Sequence, residues 1–318
     1  MKSNLEIIKP KNEAEWLALR RNNLNSTEVS ALFDCNSYLT RYELWHHKKT
    51  KDVVLFQETD RMMWGKLLEP VIAEKVAETH GLIVKPLKEY YQVRDLRIGS
   101  SFDFGVFDDK GNLISFLEIK NVDYLQFKKN WIEYDDGEIE APPYIEIQTQ
   151  HQMMMLNLDS CYLCVLVGGN DLKVLKKTAN QKMQEKILSA CADFWNSIDS
   201  NTPPEIDYTR DSDFVIEQHG FADDDKTMYA DDLANALELE QLVKDYKLAA
   251  KNEKHFENEK KAYKAKIFEI IGDSAKVKGG DWSISAGNVA ASEISYTRKA
   301  FRNFKISFKK KENESDNE

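Results

Sequence analysis

Asp103 and the tripeptide Glu118-Ile119-Lys120 are the residues of this chain best suited to chemistry. Asp103 lies in the stretch Gly99-Ser100-Ser101-Phe102-Asp103-Phe104-Gly105, and Glu118 and Lys120 close the apolar run Leu113-Ile114-Ser115-Phe116-Leu117. Residues two apart on a strand share one face, so Glu118 and Lys120 point the same way. Two carboxylates and a lysine converging at strand ends suit a Mg²⁺-dependent phosphodiesterase. Carboxylate oxygens hold hard cations, and the lysine holds or helps deprotonate the attacking water. A chance Glu-x-Lys on an exposed edge strand is the bland alternative, and the tripeptide alone does not decide between them.

Positioning these groups takes strands, turns and helices that the pattern supplies. Asn12 to Arg21 reads as helix with Trp16 and Leu19 on one face, and Asn25-Ser26-Thr27-Glu28 reads as a helix N-terminus. Arg61 to His80 is a long amphipathic helix carrying Trp64, Leu68, Ile72 and Val76 and ended by Gly81. Tyr90–Ile98, Phe104–Phe107 and Leu113–Lys120 read as an antiparallel meander. Tyr144 to Leu156 is helical, Tyr162–Val167 a buried strand from which Leu172–Lys176 returns, and Ala179 to Ile198 a further helix. That order gives an α/β (α+β) class, a mixed central β-sheet flanked by helices.

Pro203-Pro204 ends this core, so the expected division is 1–204, an acidic linker over 205–232, and a C-terminal region over 233–318. In the last region Leu239, Leu242, Tyr246, Ala249, Phe256, Tyr263, Ile267 and Ile270 keep near-heptad spacing, interrupted by Glu253 and Lys260. A coiled-coil-like helix or helical hairpin is expected, followed by a small β appendage around Trp282–Ser285 and Phe304–Phe308.

Composition narrows the class. A chain of 318 residues with 42% hydrophobic and 11% aromatic residues fits a globular protein of roughly two domains. It has no run of about 18 apolar residues, so no membrane span is expected. The N-terminus lacks an apolar stretch, so no secretory signal is expected either. Four scattered cysteines point to a reducing, cytoplasmic setting. A net charge of −10 argues against a nucleic-acid binder, but the charge is segregated. Asp223-Asp224-Asp225 sits in the acidic stretch, whereas Tyr296 to Lys311 is purely basic, with Arg298, Lys299, Arg302 and Lys305 among its cations.

Five blocks, taken together, resemble the lambda-exonuclease-like, YqaJ-type viral recombinase branch of the PD-(D/E)XK nucleases. They are Trp16-x3-Arg20-x6-Thr27-Glu28-Val29, Trp64-Gly65-Lys66-x2-Glu69, Ser101-Phe102-Asp103-Phe104-Gly105, Leu117-Glu118-Ile119-Lys120, and Gln148-Thr149-Gln150-His151-Gln152-Met153. The resemblance covers roughly Trp16 to Gly169. It implies a PD-(D/E)XK nuclease core and a 5′→3′ exonuclease that degrades one strand of linear duplex DNA from its end to mononucleotides. By position it makes Asp103, Glu118 and the Ile119 carbonyl ligands of two Mg²⁺ ions, with Mn²⁺ a substitute. Lys120 then positions the water, Glu69 is an outer or direct ligand, and Gln148 contacts the region of the nucleophile. Arg20, Thr27 and Ser101 match a pocket for the terminal 5′-phosphate, with Arg21 the alternative to Arg20. Met62 matches a wedge at the DNA end, although a helical Met is also a core residue. A trimeric ring threaded by DNA ends, a single-strand annealing protein as partner, and the cytoplasm of a phage or prophage host are further implications.

Other readings stay open. Glu69 also suits a solvated helix face, and Gln148 a structural bridge. Cys161-Tyr162-Leu163-Cys164 is formally C-x2-C, but residues three apart on a strand face opposite sides, so no iron–sulfur cluster is expected. The basic tail is either an amphipathic strand or a DNA-binding element. A structure- or sequence-specific endonuclease and a catalytically idle DNA-binding module are the rival functions.

Overall fold

Helix ends are written clearly into this chain. In the computed structural model, which describes residues 4–50, 59–293, 295–298 and 300–306, each long helix near the site starts or stops at a residue chosen for it. β1 (Leu5–Ile8) leads to α1 (Glu13–Asn22), whose first turn the Asn12 side chain caps by accepting the Glu15 N–H. β2 (Leu24–Asn25) and a 3-10 turn over Val29–Phe33 follow. α2 (Arg41–Lys49) opens with a reciprocal Thr40–Glu43 capping box. α3 (Asp60–His80) is capped by Thr59 and stops at Gly81, whose φ of 63° suits a residue without a Cβ.

The chain forms two compact units, Met1–Val215 and Ile216–Glu318. The first continues with β3 (Ile83–Pro86), β4 (Tyr90–Val93), β5 (Ile98–Ser101), β6 (Phe104–Phe107), β7 (Leu113–Val122) and α4 (Tyr124–Asn130). Then come β8 (Ile132–Glu133), β9 (Ile139–Glu140), α5 (Pro143–Leu156), β10 (Ser160–Val167), β11 (Asp171–Thr178) and α6 (Gln181–Asp199). α7 (Ser212–Gln218) lies within the acidic stretch expected as a linker. The main sheet has the order β11-β10-β7-β6-β3. Its β7–β10 pair is parallel and its other pairs antiparallel, so the mixed sheet flanked by helices is present. A parallel pair needs a long crossover, and α4, the β8–β9 hairpin and α5 provide it.

The expected meander is corrected. Tyr90–Ile98 is not one strand and does not pair with Phe104–Phe107. A turn at Arg94–Leu96, closed by Arg97 at a φ of 51°, folds the run back on itself. β4 and β5 therefore pair with each other in a second sheet of order β1-β4-β5-β2. β3, absent from the expected meander, takes the place beside β6. Gly99 is required there, because a Cβ would fall on the Tyr90 hydroxyl.

Alternation along β7 divides the core. Phe116 packs with Phe102, Met153 and Phe194, whereas Leu117 and Ile119 pack on Ile72, Ala73 and Val76 of α3. Cys161 and Cys164 fall in these two different clusters, on opposite faces of β10.

The second unit contains α8 (Ala236–Ile271) and the hairpin of β12 (Lys276–Lys278) and β13 (Ser283–Ser285). The strand expected at Phe304–Phe308 is corrected over its described part, residues 304–306, which adopt no regular structure. β13 pairs only with β12 among the described residues, so this short stretch has no neighbouring strand to bind. Among the described residues no helix is long and apolar enough to cross a membrane.

Candidate active site

The site begins where β6 and β7 part. Their pairing runs to Phe104 opposite Leu117. One residue further the Asp103 carboxylate takes over from the lost strand, accepting the Ile119 N–H at 2.8 Å. Glu118 and Lys120 project from the same face of β7, and the Lys120 ammonium donates to Glu118 Oε1 at 2.6 Å. α5 crosses that face. Gln148 and Gln152, one turn apart on it, donate to Glu118 Oε1 and Oε2, each at 2.6 Å. Glu118 is only 4% exposed. A buried carboxylate is tolerable when its oxygens are saturated by donors, and here three side chains do that.

The charges of the cluster act on one another. Burial raises the Asp103 carboxyl well above the usual range and the nearby Glu118 and Glu69 charges add to this, while Lys120 and the Ile119 N–H pull the other way. Glu69, reaching in from α3, is raised by burial and by Glu118, against Lys120 and Lys66. Burial disfavours the Lys120 ammonium, but Glu118 and Asp103 outweigh that and hold it above its usual value. Glu69, Asp103, Glu118 and Lys120 therefore share one neighbourhood, and Gln148 touches it directly.

This donor set fits a hard divalent cation in its chemistry. Its carboxylates and the Ile119 carbonyl offer only oxygen, and the burial and crowding that raise Asp103 and Glu69 are what a bound cation would relieve. The cluster is not a preassembled cage: among the described residues no three His, Cys, Asp or Glu side chains gather closely enough to enclose a metal. Glu118 is occupied by its hydrogen bonds, so a cation must take the place of some of them.

A second polar cluster lies at the end of α1. The Arg20 guanidinium stacks 4.8 Å over the Trp16 ring and donates to Thr27 Oγ1 at 3.2 Å. The Trp16 indole N–H donates to Ser101 Oγ at 3.0 Å. Arg20, Thr27 and Ser101 are thus brought together, with Trp16 as the hinge between them. Asn25 braces the turn by donating to the Arg20 carbonyl at 2.7 Å and to Glu28 at 2.9 Å, and it accepts from the Tyr90 hydroxyl at 2.7 Å. Glu28 in turn pairs with Lys48 at 2.7 Å and lies 3.9 Å from Arg20. The Arg20 side chain, not that of Arg21, is the one hydrogen-bonded to Thr27.

Met62 lies in the first turn of α3, 38% exposed, two turns before Glu69 on the same face. Arg298, Arg302 and Lys305 belong to the second unit. The Arg298 guanidinium stacks 4.0 Å over Phe301, and Arg302 donates to the His219 carbonyl at 2.9 Å. Lys299 lies outside the described residues. Among the described residues, Arg298, Arg302 and Lys305 lie in no strand.

Sequence reasoning gave Gln152, Trp16, Asn25 and Lys48 no part in the site, although it read Trp16 on a helix face and Asn25 at a helix N-terminus. The spacing of four that links Gln148 to Gln152, and Trp16 to Arg20, places each pair on one helix face and is the local signal that went unused. His151, between the glutamines, is fully buried with no hydrogen-bond partner at either ring nitrogen among the described residues. Burial lowers it to about 4, so it is a neutral packing residue.

Comparison with known proteins agrees with the family read from the motifs. Residues 15–159 match the YqaJ-like viral recombinase domain. The Uncharacterized protein YqaJ of Bacillus subtilis (strain 168) is 26% identical over 185 residues, 57% of this chain and 55% of that protein. The chain thus spans about half the length of that relative. Among solved structures, the alkaline exonuclease LHK-Exo of Laribacter hongkongensis aligns with a TM-score of 0.46 at 16% identity, covering 59% of this chain and 94% of its own. A phage related exonuclease from Haemophilus somnus 129PT aligns with a TM-score of 0.34 at 13% identity, covering 61% and 90%.

Proposed function

With residues 15–159 a YqaJ-like viral recombinase domain, we propose that this protein is a Mg²⁺-dependent exonuclease that degrades the 5′-ended strand of linear duplex DNA. The family supports a nuclease role. The observation that carries the finer reading is the convergence of Asp103, Glu118, Lys120 and Gln148 at the parting of β6 and β7.

In this reading Asp103, Glu118 and the Ile119 carbonyl hold the cations, two Mg²⁺ or Mn²⁺, with Glu69 as an outer or direct ligand. Bound there, such ions lower the pKa of the attacking water and take up charge on the leaving oxygen. Lys120 donates a hydrogen bond to the nucleophile and adds positive charge to the developing phosphorane. Gln148 and Gln152 hold Glu118 in place as Lys120 turns to the substrate. At the other cluster, the Arg20 fork and the hydroxyls of Thr27 and Ser101 take the terminal 5′-phosphate. Met62 stands to part the terminal bases. Mononucleotides leave, and the 3′ strand remains for a single-strand annealing protein. The resemblance also supports a trimeric ring and a cytoplasmic setting. Arg298, Lys299, Arg302 and Lys305 then supply sequence-independent phosphate contacts outside the core.

Incubation of end-labelled linear and covalently closed duplex DNA with Mg²⁺ tests the reading. Release of mononucleotides from the linear substrate alone is expected. Cutting of closed circles would make the protein an endonuclease on the same core. Absence of any cleavage would leave a DNA-binding module.

A further inference from the structure

α8 is long and bare. Its 36 residues extend about 54 Å at 1.5 Å per residue, and none of them is buried. Apolar side chains nonetheless recur along it in alternating steps of three and four, the spacing of a coiled-coil seam. One series of seam positions is Leu239, Tyr246, Glu253, Lys260 and Ile267. The interleaved series is Leu242, Ala249, Phe256, Tyr263 and Ile270. Leu242 is 58% exposed and Ile270 84%. An apolar seam of this length needs a cover.

We propose that α8 pairs antiparallel with α8 of a second copy of this chain, and that Glu253 and Lys260 dictate that orientation. In a parallel pair each seam residue of the first series meets its own counterpart. Glu253 would face Glu253 and Lys260 would face Lys260, two like-charge contacts in a partly desolvated seam. The antiparallel pair removes both. With the two-fold axis between Lys254 and His255, Leu239 meets Ile270 of the second copy, Leu242 meets Ile267, and Tyr246 meets Tyr263. Ala249 then lies opposite Lys260 and leaves room for its stem. Long helical side chains lean toward the N-terminus of their own helix. Antiparallel, Glu253 and Lys260 of the second copy therefore lean toward each other. Asp245 and Lys266, which flank the seam, form a further pair of opposite charges at each end.

The second unit also offers a seat for such a partner. The C-terminal half of the seam is walled by the β12–β13 hairpin, which leaves an apolar groove of about 530 Å³ lined by Tyr263, Ile267, Ile271 and Ile284. The antiparallel register lays Leu242 and Tyr246 of the second copy against that half. The chain's own tail is the competing occupant, because Phe304 lies edge-on to Tyr246 with 5.3 Å between ring centroids. The groove does not extend to this end of the helix, whereas a second copy in this register covers both halves.

The test uses the full chain. Its mass in solution, by analytical ultracentrifugation, is expected to correspond to an even number of chains, six where α8 pairs join two of the proposed trimeric rings, and a monomer or a lone trimer overturns the proposal. Glu253→Lys and Lys260→Glu should each halve that mass, and the double variant should restore it. Failure of the double variant to restore it removes the charge argument. Under oxidation the pair Leu242→Cys and Ile267→Cys should give a covalent dimer, and Leu242→Cys alone should not. Cross-linking of Leu242→Cys alone indicates parallel pairing and sinks the idea. An even-numbered assembly that forms only after removal of residues beyond Gly287 makes the tail the natural occupant and also overturns it.

Discussion

Glu118 and Glu253 are the same side chain under opposite constraints. Glu118 is buried on β7, and Lys120, Gln148 and Gln152 saturate its two oxygens. Glu253 lies exposed on α8, set among apolar neighbours that are exposed as well. In the first unit the buried carboxylate of the site is satisfied from within the chain, as a buried charge must be. In the second, apolar groups are exposed and wait to be satisfied from outside. The first unit is thus complete as a scaffold for chemistry, while the second reads as an instruction for assembly. Substitutions should separate the two: at the site of the first unit they should change rate or stability, along the seam of α8 only self-association.

The largest effect belongs to the catalytic cluster. Lys120→Ala and Asp103→Ala should each lower the rate of DNA cleavage by roughly 100- to 1,000-fold, as loss of one group that stabilises transition-state charge does. Circular dichroism should show the fold retained, since Glu118 keeps both glutamines in the first variant. Near-wild-type cleavage by either purified variant would remove these residues from the site.

The next effect concerns the end of the substrate. The wild type should prefer 5′-phosphorylated ends, and Arg20→Ala should erase about 10- to 100-fold of that preference, the worth of a charged hydrogen-bonded contact. Arg21→Ala should leave it in place. Equal cleavage of phosphorylated and hydroxyl ends by the wild type would mean that the Trp16–Arg20–Thr27–Ser101 cluster serves structure alone.

How much of this was legible in the sequence differs between elements for physical reasons. Helices α1, α3, α5 and α6 fall within a few residues of expectation because caps and periodicity are local. The strand pairing around β4 and β5 was not legible. Whether Tyr90–Ile98 continues or folds back depends on Arg97 adopting a left-handed conformation, which no pattern of arginines announces. Asp103, Glu118 and Lys120 stood out because type and spacing carry their chemistry. Gln152 did not, although its amide sits on the same carboxylate as Gln148. Its partner is 34 residues away, and only the fold brings them together. Over its described residues, 304–306, the tail strand failed for a similar reason: alternation of Phe304 and Ile306 suits a strand, but a strand also needs a neighbour.

Gln152 sharpens the comparison further. Gln152→Leu keeps the volume and removes the donor to Glu118 Oε2. The cost should be about 1–3 kcal/mol of unfolding free energy, the usual penalty for an orphaned buried acceptor. It is read as a lower denaturant midpoint at unchanged slope. Glu253→Gln, which touches nothing buried, should not shift the midpoint of the same transition. If both variants behave alike, burial and satisfaction do not distinguish the two units.

The smallest expected effect is the most direct test of the contrast. Leu242→Ser removes an apolar side chain from the seam of α8. In a chain dilute enough to be alone, Leu242 already meets water, and its loss should change unfolding free energy by no more than about 0.5 kcal/mol, as for surface positions generally. Leu163→Ala provides the scale, because Leu163 is fully buried on β10. That change should cost about 2–5 kcal/mol. The same Leu242→Ser variant at high concentration should lose self-association, so one substitution yields a null result in one measurement and a clear one in the other. A loss of more than about 2 kcal/mol in the dilute chain, on the scale of a core deletion, would mean that the seam is packed by its own hairpin and tail. The second unit would then be as self-contained as the first, and the division between a finished scaffold and an open seam would fail.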